Sequence, residues 1–351
     1  MKIFINARFL TQNITGVQRY AIEISKALKK IYPELTFIAP KNIVHLELAE
    51  ELNVDLYGKL KGYLWEQIDL PKYLKDHNNP LLVNLANSAP LLYKNQVMTV
   101  HDLSFLREPK WFSKKFYYYY KFLIPTAAKS SLKIITGSKF SKNEITKLLK
   151  IPEKKIYVVY HGVSERFNPI EKSDNKHNNY LLAVSSLDPR KNLKNLILAF
   201  NKLNLKDAKL IIAGAESKVF AGNTGIKKLI HSNNNIITTG HINDGELIGL
   251  YKNAISFIYP SFYEGFGLPP LEAMACGCPV VVSNAASLPE VCKDAAYYID
   301  PYHIESMAKG IYEVATNEAL KQSLIKKGFE RAKMFNWEKS AQELLEILKS
   351  V

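Results

Sequence analysis

Short runs of β-branched and apolar residues recur along this chain, six in its first half and six in its second, with amphipathic stretches between them. In the first half they start at Lys2, Thr36, Leu81, Val97, Lys133 and Ile156; in the second, at Tyr180, Leu210, Asn235, Ile255, Val280 and Tyr297. A strand that is apolar throughout has to be covered on both faces, and parallel sheets flanked by helices do this. Between the two series, residues 169–179 are polar and rich in Asn, with Pro169 and Asp174, and read as a linker. The pattern predicts an α/β architecture of two doubly wound domains facing a central cleft, residues 1–168 and 180–335. A length of 351 residues suits two domains with separate cores.

Composition removes several classes. With 47% hydrophobic and 23% charged residues the chain is globular, not disordered, collagenous or stapled by disulfides. No stretch approaches 18 uninterrupted apolar residues, and MKIFINARFL turns polar too soon for a secretory signal. Cys276, Cys278 and Cys292 are an odd number in a short stretch, as expected of free thiols, and a fourth metal ligand at sensible spacing is missing. A cytoplasmic protein is the expectation. Charge is uneven: residues 1–179 carry 28 Lys+Arg against 16 Asp+Glu, a net of +12, whereas residues 180–351 carry 19 against 17, a net of +2. Such an excess suits an acidic partner, either nucleic acid or an anionic membrane surface, or is simply a solvated face.

Ligands of open α/β sheets bind beyond the carboxyl ends of the strands. Those ends carry Asn6, His101-Asp102, Gly137-Ser138, His161-Gly162, Ser185-Ser186, Gly214, Gly240-His241, Ser261 and Ser283-Asn284. The densest signal is the stretch from Tyr263 to Gly277, where a strand enters the glycine turn Gly265-Phe266-Gly267-Leu268 and then a helix starting near Pro269. Proline suits a first helical turn, and amides at a helix start suit phosphates. Glu264 and Glu272 flank this turn; beside a phosphate their partners are expected to be sugar and ribose hydroxyls. Arg190 and Lys191 also follow a strand end. Fixed cations there would stabilise charge developing on a departing phosphate.

Glu264 and Glu272, with seven residues between them, resemble the Glu-x7-Glu motif of retaining glycosyltransferases of GT-B fold, in particular glycosyltransferase family 4. The resemblance runs along nearly the whole chain. Thr15-Gly16-Val17-Gln18-Arg19-Tyr20 is similar to the family's N-terminal glycine loop, and His101-Asp102-Leu103-Ser104 to its His-Asp segment. Leu187-Asp188-Pro189-Arg190-Lys191-Asn192 is similar to its diphosphate loop, and Asn336-Trp337-Glu338 opens a last helix, 336–351, that in the family crosses back onto the N-terminal domain. The family's usual Arg, five residues before the Lys, is Ser186 here, which leaves open whether Arg190 replaces it.

The resemblance implies a GT-B enzyme with His101, Arg190, Lys191 and Glu264 as catalytic residues. Gly16, Ser186, Gly240, His241, Ile242, the Gly265–Leu268 turn and Glu272 would bind the donor, and Asp102 and Arg19 the acceptor. It also implies retention of anomeric configuration by front-face attack, with the leaving phosphate helping to take the acceptor's proton. His101–Phe112 and the Arg190-Lys191 loop look most like bacterial mannosyltransferases of this family. GDP-mannose is therefore the favoured donor, and a lipid-linked saccharide of O-antigen or capsule assembly the favoured acceptor. Rival readings are a UDP-sugar transferase, a sugar-nucleotide epimerase, a basic nucleic-acid-binding protein and a dehydrogenase. An epimerase lacks a paired acid and base, the Glu264/Glu272 pair disfavours nucleic acid, and a dehydrogenase lacks its glycine fingerprint. No Asp-x-Asp is present for a divalent ion, so no metal or cofactor is expected. Lys110–Phe122 interleaves aromatics with lysines, as a peripheral membrane contact would require, although a helix with an aromatic inner face fits equally.

Overall fold

The computed structural model describes residues 2–167, 179–186, 188–203, 205, 207–214 and 224–351. Most of the expected linker, 169–178, and Leu187 of the basic loop lie outside the described residues. The chain groups into two compact units. The first comprises Met1–Leu106, Tyr118–Gly162 and Asn336–Val351; the second comprises Arg107–Tyr117 and Val163–Phe335.

The first unit holds a parallel sheet of β1 (Ile3–Asn6), β2 (Thr36–Ala39), β3 (Val54–Leu56), β4 (Leu81–Asn84), β5 (Gln96–Thr99), β6 (Lys133–Thr136) and β7 (Ile156–Val158), in the order β3-β2-β1-β4-β5-β6-β7. Six strands are expected here and seven are found. The added β3 is an edge strand of three residues, half exposed and interrupted by Asp55, so it carries no continuous apolar run. Helix Gly16–Ile31 buries Tyr20, Ala21, Ile24, Ala27 and Leu28 on one face, and Gln18 turns back to accept from the Thr15 amide (3.2 Å). Helix Trp337–Lys349 packs against it, with Asn336 Oδ1 capping its start by accepting from the Glu338 (2.7 Å) and Lys339 (3.1 Å) amides. Trp337, Ala341, Leu344 and Leu348 supply its buried stripe, each large apolar side chain contributing about 1.5–3 kcal/mol.

The second unit has six parallel strands, β8 (Tyr180–Val184), β9 (Lys209–Ala213), β10 (Ile236–Gly240), β11 (Ser256–Tyr259), β12 (Val280–Ser283) and β13 (Tyr297–Ile299), in the order β10-β9-β8-β11-β12-β13. All six coincide with runs expected from sequence to within two residues. Arg107–Tyr117 belongs with this unit rather than with the rest of residues 1–168, and the Trp111 ring stacks on Phe262 (6.3 Å between centroids). Strand order reverses between β1 and β4 in one sheet and between β8 and β11 in the other, where α/β sheets open their ligand crevices. Two Rossmann-like domains are the result.

Candidate active site

In the second unit, the loops leaving β8 and β11 meet at the point where strand order reverses, and backbone geometry brings them together. Asn192, in the left-handed conformation (φ 59°), ends the 3-10 turn Pro189–Lys191. Its Nδ2 donates to the Pro260 carbonyl (3.1 Å) and the Pro301 carbonyl (2.7 Å). The Phe262 amide donates to the Arg190 carbonyl (2.9 Å), which locks the second loop to the first.

Four charges occupy the meeting point. Lys191 Nζ donates to Glu264 Oε1 (2.7 Å) and to the Tyr259 hydroxyl (2.7 Å), and lies over the Tyr259 ring at 4.9 Å from its centroid. Asp188 accepts from the Arg190 amide (2.9 Å) and from its Nε (3.0 Å), fixing the guanidinium above its own turn. Burial works to raise the Glu264 carboxyl. Lys191 and then Arg190 offset this and hold it below the ordinary carboxylate range. Burial, then Glu264, pushes Tyr259 well above its ordinary value, so it stays protonated. An ammonium has three protons, and Lys191 spends two on these partners. The third has no acceptor among the described residues.

Glu264 has Lys191 as a partner within the chain, which the sequence did not point to; the sugar hydroxyl expected beside it is a matter for a bound donor. Asp188 and Tyr259, which hold the two cations, are the residues that sequence reasoning missed. Asp188 could have been found: an acid two positions before Arg190 and next to a proline is a capping arrangement. Tyr259 ends an apolar strand, and nothing local distinguishes its hydroxyl.

The glycine turn runs into a helix where the sequence places one. The helix begins at Leu268, so Pro269 and Pro270 both fall in its first turn and remove two of its amides as donors. Phe266 points its ring at Phe335 (5.7 Å, edge to face), so its side chain belongs to packing and only its backbone remains for a ligand. Gly267 has φ 105°, and a Cβ there would lie 2.7 Å from Leu288 Cδ2, so this position needs glycine. Leu268 and Glu272 are buried on the same short helix. At the end of β10, Gly240 has φ 70° with nothing within 4 Å of where a Cβ would stand, followed by exposed His241 and half-buried Ile242. The half-buried Ser186 follows β8, where its carbonyl accepts from the Asp188 amide (2.7 Å).

The remaining candidates lie in the first unit. His101 is buried between Tyr20 and His161, its ring 4.8 Å and 5.7 Å from theirs, and its Nε2 donates to the Leu85 carbonyl (3.0 Å). Burial lowers its pKa, against opposing help from Leu85 and Asp102, so the ring is neutral and Nδ1 is an acceptor. His161 is pushed down further, by burial and by His101. The Asp102 carboxylate accepts through Oδ1 from the Ser104 amide (2.9 Å) and hydroxyl (2.6 Å), a local cap. Arg19 is half-buried on helix Gly16–Ile31, and the space in front of Gly16 is open. Among the described residues no group of three His, Cys, Asp or Glu is set to hold a metal ion, and all three cysteines are free and buried.

Two family profiles cover most of the chain: "Glycosyl transferases group 1" matches residues 164–331 and "Glycosyltransferase Family 4" residues 14–167. The chain is 28% identical to O-antigen chain mannosyltransferase B of Escherichia coli, over 99% of this chain and all of that protein. It is 29% identical to O-antigen chain mannosyltransferase RfbU of Salmonella typhimurium, over 89% of this chain and 90% of that one. Among solved structures, Anabaena Alr3699/HepE in complex with UDP and glucose superposes with a TM-score of 0.77 at 18% identity, over the whole of both chains. WaaG, a glycosyltransferase involved in lipopolysaccharide biosynthesis, does so with a TM-score of 0.74 at 16% identity, over 99% of each.

Proposed function

The chain belongs to the glycosyltransferases, residues 164–331 matching group 1 and residues 14–167 family 4, and from that premise we propose that it moves a mannosyl residue from GDP-mannose to a saccharide acceptor. The observation that carries this reading is the Lys191–Glu264–Tyr259 and Arg190–Asp188 cluster at the β8/β11 crevice. Relatives named as mannosyltransferases, matched over most of the chain, support the sugar.

In this reading the acceptor oxygen bonds to the anomeric carbon on the face from which the diphosphate leaves. The carbon–oxygen bond to the diphosphate breaks, and the acceptor's proton passes to a phosphate oxygen, so configuration is retained. Charge grows on the leaving phosphate, where Lys191 contributes its third proton and Arg190 its guanidinium. Both are held before the donor arrives, so little reorganisation is needed at the moment of reaction. These cations perform the charge stabilisation that a divalent ion would otherwise supply, so turnover needs no metal.

The acceptor is read as lipid-linked. Helix Lys114–Ser130 turns Leu123, Ile124, Ala127 and Ala128 inward and leaves Tyr118 (66%) and Phe122 (64%) exposed beside Lys114, Lys115 and Lys121. Rings and lysines on one exposed helix suit an anionic lipid surface. The donor is tested by calorimetric titration of the full chain with GDP-mannose, GDP, UDP-glucose and UDP. Tighter binding of the guanosine compounds is expected; preference for the uridine compounds would replace the donor.

A further inference from the structure

At the carboxyl ends of β1 and β4, where strand order reverses in the first sheet, a second polar cluster is buried. Glu66 is 1% exposed and Arg8 4%. Glu66 Oε1 accepts from Asn6 Nδ2 (2.8 Å), Arg8 Nε (3.0 Å) and the Ser88 hydroxyl (3.0 Å), and Arg8 Nη2 donates to Ser88 Oγ (2.7 Å). The other carboxylate oxygen, Oε2, is buried without a hydrogen-bond partner. An unpaired buried carboxylate oxygen is costly, and a buried ion pair adds little stability over apolar packing, so folding alone gives no reason for this arrangement.

Three further observations point to a ligand. Glu66 sits on the π-helical turn Trp65–Asp69, a distortion that recurs at functional sites. Asn6, Arg8, Glu66, Leu85 and Ser88 help to line a cavity of about 10 Å³, close to the room one oxygen atom with its proton needs. Aromatic rings stand beside it: Arg8 lies over Tyr63 (4.5 Å to the centroid), Tyr63 packs on Tyr119 (4.9 Å), and the Tyr63 and Tyr120 hydroxyls bond at 2.7 Å.

We infer that this crevice binds a neutral saccharide, one hydroxyl of which sits in the cavity and donates to Glu66 Oε2 while the sugar ring lies against Tyr63 and Tyr119. Arg8 and Glu66 cancel in charge, so a phosphorylated or acidic sugar would meet the open carboxylate oxygen at a disadvantage, whereas a hydroxyl completes it. Since the donor-binding candidates cluster in the second unit, a saccharide site in the first belongs to the acceptor. To that extent the inference rests on the glycosyl-transfer reading. A trapped water could also donate to Glu66, and the experiment separates the two.

The full chain, saturated with GDP, is titrated with the methyl α-glycosides of mannose, glucose, galactose and N-acetylglucosamine, and with mannose 6-phosphate. Wild type is expected to bind at least one neutral glycoside in preference to the phosphate. Glu66→Gln should weaken that binding by about tenfold or more, the scale of losing a hydrogen bond to a charged group, and leave GDP-mannose affinity unchanged. Tyr119→Ala, at an exposed ring, should weaken it as well and carries the test if Glu66→Gln fails to fold. No binding of any neutral glycoside by wild type, or equal affinity in wild type and a folded variant, would overturn the inference in favour of a trapped water. Wild type that binds a glycoside but not GDP-mannose would instead remove the donor reading and leave this site standing.

Discussion

Lys191 is fixed from two sides, by the Glu264 carboxylate and the Tyr259 hydroxyl, and this fixing makes it more than a surface charge. Lys191→Ala should lower turnover by about 10²-fold or more, the scale of removing one pre-organised donor from a site of developing charge. Steady-state kinetics on a variant with a wild-type unfolding midpoint would check this; near-normal turnover would take Lys191 off the catalytic list. His101 and His161 give a second prediction. Both are neutral in the folded protein because burial disfavours their charged forms, whereas in the unfolded chain they titrate near 6.5. As pH falls below that value the unfolded chain takes up protons that the folded one refuses. Stability should then fall by up to about 1.4 kcal/mol per pH unit for each histidine. The depressed Glu264 carboxyl acts lower, its contribution being lost only as pH drops through the carboxylate range, so the window from about 6.5 to 5 reports the histidines. Urea midpoints at pH 7.5 and 5.5, for wild type and His161→Phe, should show the slope and its partial loss; a flat wild-type profile would contradict the burial argument. At this scale the sequence exposed Lys191 and Glu264, because each follows a strand end. It hid their pairing, and it hid Arg8 with Glu66, because contacts across 73 and 58 positions leave no local trace.

Among the elements, strands buried on both faces were the most legible, since covering a strand twice demands an unbroken apolar run. The edge strand Val54–Leu56 escaped because an edge needs neither continuity nor length. Helix Lys114–Ser130 was ambiguous for a different reason: aromatic rings serve a core or an interface equally well, and only the fold decides which face they take. The structure buries the aliphatic residues and leaves Tyr118 and Phe122 outside. The full chain should therefore co-sediment with vesicles of anionic lipid at low salt and be released as salt rises and the Debye length shrinks from about 10 Å at 0.1 M to about 3 Å at 1 M. Changing Lys114 and Lys115 to Glu should reduce the bound fraction. If wild type and the double variant stay equally in the supernatant, the helix is an ordinary exposed one and a soluble acceptor becomes the better reading.

Across the whole molecule, two parallel sheets each reverse strand order once, and polar clusters stand at both reversals. Charge pairs hold Arg190 and Lys191 at one, and a half-satisfied carboxylate waits at the other. The doubling of the architecture was readable from the repeated apolar runs, and the enzyme class from the Glu264/Glu272 and Arg190/Lys191 motifs. Which nucleotide base and sugar enter was not, because the strand-end positions offered for them, Gly240, His241 and Ile242, present backbone, one exposed and one half-buried side chain rather than a diagnostic pair. The most direct measurement is to incubate the full chain with an equimolar mixture of GDP-mannose and UDP-glucose, with methyl α-mannoside as acceptor and EDTA present, and to follow both donors and the new anomeric signal by NMR. The expected result is selective loss of GDP-mannose with appearance of an α-mannosyl product at a rate that EDTA does not change. Selective loss of UDP-glucose, a β-linked product, or turnover that stops in EDTA and returns with magnesium would contradict the account.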